Sequence, residues 1–95
     1  MRRCGMNGKN KYSTLQKRLR EVLWCLEEVE KELRAMEEGW GGSPMLVNPV
    51  QYLHDPNMFA YVAMARGRYT YLQQEREVLR EMAYALQRWL EGVAG

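Results

Sequence analysis

His54 and Asp55 stand side by side before Pro56, and each is the only residue of its type in the chain. The pair resembles the His-Asp dipeptide of metal-dependent phosphohydrolase centres, but reads more simply as a loop His beside a helix cap. Such a centre needs further His and Asp ligands, and the sequence does not supply them. Nucleophilic catalysis needs Ser or Cys beside a base and an orienting group. Ser13, three residues before Gln16, reads instead as the first half of a helix capping box, and Ser43 lies in the turn sequence Gly41-Gly42-Ser43-Pro44. Cys4 and Cys25 match no zinc or redox spacing and read as one tail thiol and one helix-packing thiol. The paired glutamates Glu27-Glu28 and Glu37-Glu38 read as solvated helix faces, and no glycine-rich phosphate loop follows a strand. This inventory points to a protein that is not an enzyme and needs neither metal nor cofactor.

Binding chemistry is better represented. Arg66-Gly67-Arg68-Tyr69-Thr70-Tyr71 mixes cations and aromatic rings at helical spacing, a combination that can stack on a base and pair with its phosphate. Arg2, Arg3, Lys9 and Lys11 add a basic arm able to lie along a nucleic-acid backbone. Arg66, Arg68, Tyr69 and Arg76 with that arm form the candidate anion or nucleotide site. The whole-chain net charge of +2 is small for a nucleic-acid binder, and no helix-turn-helix, zinc finger or single-strand-binding sheet can be read.

That small total conceals a steep gradient. Residues 1–20 carry +7, residues 21–38 carry −5, residues 39–65 carry only Asp55, and residues 66–95 carry +1. The first helix is thereby charged against its own dipole, with cations at its amino end and carboxylates at its carboxyl end. An antiparallel neighbour bringing Arg66 and Arg68 to the acidic end would compensate.

The elements that must position these groups are helical. Leu15, Leu19, Val22, Leu26, Val29, Leu33 and Met36 recur at alternating spacings of four and three, and predict a helix over 14–38, opened by the Ser13–Gln16 box and stopped by Gly39. Leu23 and Cys25 widen its stripe. Trp24 lies about 200° around from Leu26 at 100° per residue, so it points away from the seam. Asn48-Pro49 and Asp55-Pro56 each read as a cap followed by proline at the first helical position. The connection over 39–55 is expected to pack through Trp40, Leu46, Val50, Tyr52 and Leu53.

The second helix, over 56–91, carries two adjacent rows. Met58, Val62, Ala65, Tyr69, Leu72, Arg76, Leu79, Ala83, Leu86, Leu90 and Val93 form the first. Tyr61, Met64, Arg68, Tyr71, Glu75, Val78, Met82, Ala85 and Trp89 form the second. Two rows make a face too wide for one partner helix. Gly67 is a candidate kink or break. Both rows turn charged at Glu75 and Arg76, a register device first, or else a solvent-exposed turn or a polar ligand site.

The 95 residues, 46% hydrophobic and 27% charged, therefore predict an all-α protein. A basic arm over 1–12 precedes a single helical domain over 13–95. Its architecture is an antiparallel hairpin, 14–38 with 56–91, completing a four-helix bundle by self-association. Trp24, Tyr61, Met64, Tyr71, Val78, Met82 and Trp89 are the candidate interface with another copy or a protein partner. The start MRRCGMNGKNK has no signal-peptide core and no run approaches a membrane span, which predicts a cytoplasmic protein without membrane contact. The functional expectation is a homo-oligomeric adaptor, assembly factor or inhibitor of the kind phages and mobile elements encode. The alternative is a binder of nucleic acid or an anionic nucleotide.

Overall fold

The structure, a computed structural model, describes the backbone of residues 8–94 and the side chains of residues 12–92. Arg2, Arg3 and Cys4 lie outside the described residues. The fold is all-helical among them: α1 (Gly8–Trp40), two short 3-10 helices (Pro44–Leu46 and Pro49–Tyr52) and α2 (Pro56–Ala94). The two long helices pack against each other. Contacts divide the chain into two compact units, residues 28–76 and residues 1–27 with 77–95.

In the unit of residues 28–76, Trp40 meets Tyr61 and Glu32 meets Arg68. Moving back along α1 thus moves forward along α2, as in an antiparallel pair. Leu33, Tyr69 and Leu72 form the buried cluster there, with Val29 and Met36 packed on it. Val62 is fully buried as well. In the other unit Val22 of α1 and Leu79, Ala83 and Leu86 of α2 are buried. Every one of these residues belongs to the α1 seam or to the first row of α2, so those rows are the helix–helix seam.

α1 starts at Gly8, ahead of the expected Ser13. Ser13 is an exposed residue inside the helix, so the capping box does not form. Residues 8–12 lack apolar periodicity, yet extending an existing helix costs far less than nucleating one, so the downstream seam carries them. The other end runs to Trp40, past the expected stop at Gly39, and Gly41 takes the left-handed conformation with φ 68°. The Gly42 N–H donates to the Glu37 carbonyl at 2.8 Å and the Gly41 N–H to that of Glu38 at 3.4 Å, the paired bonds of a Schellman stop.

α2 is helical without interruption through Gly67, so the possible break is not found. Nothing lies within 4 Å of where a Cβ of Gly67 would stand, and its φ is not positive. Neither close approach nor backbone geometry requires glycine there. Gly67→Ala is accordingly expected to stabilise the fold by about 0.5–1 kcal/mol, read as a higher midpoint in urea unfolding.

The connection is built by local capping. Ser43 Oγ accepts from Met45 N–H at 3.2 Å, Asn48 Oδ1 from Val50 N–H at 3.0 Å, and Asp55 Oδ1 from Met58 N–H at 3.2 Å. The expected caps at Asn48 and Asp55 are therefore present. The expected packing is only partial. Pro44 is buried and Trp40 and Tyr52 are half-buried, but Leu46, Val50 and Leu53 are 84%, 59% and 67% exposed. Short 3-10 turns with satisfied backbone groups hold their shape without burying those side chains.

Candidate interaction faces

The large apolar side chains of the two rows of α2 differ in burial. While the first row forms the seam, Tyr61, Met64 and Tyr71 of the second are exposed in the unit of residues 28–76. Val78, Met82 and Trp89 are exposed in the other unit. Trp24 of α1, 63% exposed, faces outward as its angular position requires. All seven side chains expected to meet another protein are thus on the surface. Tyr84 is also exposed, in a position neither row anticipates, and the Arg88 guanidinium stands 5.8 Å from its ring centre. Leu23 and Cys25 are exposed too. They do not widen the packing stripe, because the buried strip of α1 is no wider than its row of seam residues.

Within the unit of residues 28–76, a groove of about 620 Å³ opens between α1 and α2. Trp40 and Tyr61 stack at one end, their centres 5.4 Å apart, and Glu32 and Arg68 line the other. Ala35, Gly39 and Ala65 are its small residues, which leave it shallow and apolar. Arg68 holds Glu32 with two bonds, Nε to Oε2 at 2.9 Å and Nη2 to Oε1 at 3.0 Å. That bidentate pair holds the Arg68 guanidinium above its usual pKa, first through the hydrogen bonds and then through the carboxylate charge. Of the two arginines expected to compensate the acidic end of α1, Arg68 meets it at Glu32. The same guanidinium lies 5.5 Å from the Tyr71 ring centre, and the Tyr71 hydroxyl donates to Glu75 Oε2 at 2.8 Å, which raises the phenol pKa.

These contacts change what the Arg66–Tyr71 segment can offer an anion. Arg68 already has a carboxylate. Tyr69 is only 4% exposed and donates its hydroxyl proton to Glu37 Oε2, so its ring has no free face on which a base could stack. Glu37 raises the Tyr69 phenol pKa first and burial second, while the Ser43 hydroxyl and the Arg76 charge work in the opposite direction. Arg66 and Arg76 are half-buried, and the Nε of each is buried without a hydrogen-bond partner. Lys9 and Lys11 fall in the first turns of α1, where the side chains are not described. At the charged layer, Glu75 accepts from Tyr71 and Arg76 lies beside Tyr69.

Asp55 is engaged as the cap of α2, and His54 is exposed beside it. Among the described residues no group of three His, Cys, Asp or Glu stands close enough to hold a metal ion. Among the same residues no helix is long and apolar enough to cross a membrane. Sequence reasoning missed the apolar loop surface of Leu46, Val50 and Leu53. Its only signal is apolar composition, which a buried connection would share. Comparison with protein-family models, curated proteins and solved structures finds no match to this chain.

Proposed function

We propose that this protein is a non-catalytic, homo-oligomeric interaction protein, an adaptor, assembly factor or inhibitor that works by presenting helical surface. One observation carries the reading: the second row of α2 stays exposed after the first has been used against α1. Isolated apolar residues on a surface need no explanation, but a periodic set on one helix face marks an unfilled contact. Large aromatic and methionine side chains dominate this set, and these types are enriched where proteins meet. The simplest closed form is a four-helix bundle, in which the row of one copy is covered by a second copy. Sedimentation equilibrium or native mass spectrometry at micromolar concentration is expected to give a multiple of the 11.2 kDa chain mass. A monomer with a cooperative melt would remove self-association from the reading. For the nucleic-acid alternative, the engaged Arg68 and the buried Tyr69 leave Arg66, Arg76 and the arm as its support.

A further inference from the structure

The outer face of α1 has a use of its own. Arg20, Leu23, Trp24 and Glu27 fall at i, i+3, i+4 and i+7, the spacing of one helix face, and all four belong to one compact unit. Leu23 is 42% exposed and Trp24 63%. Arg20 and Glu27, one turn to either side, have no ion-pair partner among the described residues, and Trp24 is the middle residue of Gly8–Trp40. We propose that a second copy of the chain binds this face, its α1 antiparallel to the first about a two-fold axis between Leu23 and Trp24. This rests on the reading of the protein as a homo-oligomer and adds a second contact between copies, on α1 and apart from the exposed row of α2.

Charge selects the occupant. On this face the cation Arg20 and the carboxylate Glu27 lie on opposite sides of the axis. A polyanion would meet the basic half and be repelled by the acidic one. A copy running the other way meets both halves with opposite sign. In this register Arg20 faces Glu27 of the other copy, while Trp24 lies on its Leu23. Across residues 20–27 no two like charges stand opposite each other. A two-fold contact repeats each of these pairs, so one substitution removes two.

The test uses the full chain with Arg20→Glu, with Glu27→Arg, and with both together. Arg20 and Glu27 are two turns apart, about 10 Å along the helix, too far to pair within one chain. Sedimentation and native mass spectrometry at about 10 mM salt are expected to show each single reversal weakening assembly about tenfold or more. The double variant is expected to return to within a few-fold of the natural chain, and the gap between single and natural chains is expected to shrink at about 1 M salt, where charges are screened beyond about 3 Å. Thermal melts of these surface variants report the fold separately. If the natural chain assembles but single reversals leave its mass distribution unchanged, or the double variant is as weak as the singles, this face is wrong while self-association stands. A monomeric natural chain overturns both.

Discussion

Leu72→Ala is expected to lower the unfolding free energy by about 3 kcal/mol. Leu72 is 2% exposed at the centre of the cluster with Leu33 and Tyr69. Its loss removes buried methyl groups and leaves a cavity that rigid neighbouring helix backbones cannot close, for which measured costs run about 2–5 kcal/mol. A chain of 95 residues buries a smaller share of its surface than a larger domain. Its whole stability is on the order of 5–15 kcal/mol, so this one change consumes a large fraction. The matched control is Leu46→Ala in the connection. Leu46 is 84% exposed, so that change is expected to stay within about 0.5 kcal/mol. Urea unfolding at one fixed protein concentration separates the two, since any self-association makes apparent stability concentration-dependent. Equal losses at Leu72 and Leu46 would mean that the connection is covered in solution, and so would connect the loop surface to assembly.

That control concerns the feature least legible in the sequence. The seam was legible because periodicity is a property of the helix alone: Val22 and Leu33 are buried where their spacing places them, and Val62, Leu72 and Leu79 likewise. The caps at Asn48 and Asp55 were legible because an N-cap is decided within three residues. The exposure of Tyr61, Met64 and Tyr71 followed from the width of the face, since one partner helix covers only one row. Ser13 does not cap α1 because Ser-x-x-Gln fits a helix interior as well as a helix start, and the upstream residues decide between them. Gly67 does not break α2, for a helix flanked by stable turns carries one glycine at about 1 kcal/mol. Leu46, Val50 and Leu53 could not be placed, because exposure in a connection depends on which way two short turns face.

The Tyr69–Glu37 bond was equally hidden, its partners lying 32 residues apart on different helices. It gives the second large expectation. Tyr69→Phe keeps the buried ring but removes the hydroxyl that donates to the Glu37 carboxylate. A hydrogen bond to a charged group contributes about 1.5–3 kcal/mol, and because Glu37 is half-buried, water can partly replace the lost donor. A loss of about 1.5 kcal/mol at neutral pH is expected.

The pH dependence distinguishes this bond from simple packing. The folded phenol is held above its ordinary value near 10, first because ionisation would break the bond to Glu37 and then because burial opposes the phenolate. A group whose pKa is raised on folding binds its proton more tightly in the folded chain. Its contribution is therefore complete below about pH 10, the unfolded value, and is lost as pH rises through the folded one. Tyr71, also raised through its bond to Glu75, acts in the same direction and remains in the Tyr69→Phe variant. The stability difference between natural chain and variant is thus expected to be constant from neutral pH to about 9 and to shrink above about 10. Unfolding curves over that range read it directly. A difference unchanged across the alkaline limb would mean that the two helices are joined at Tyr69 by the ring alone, with Glu37 no more than a neighbour.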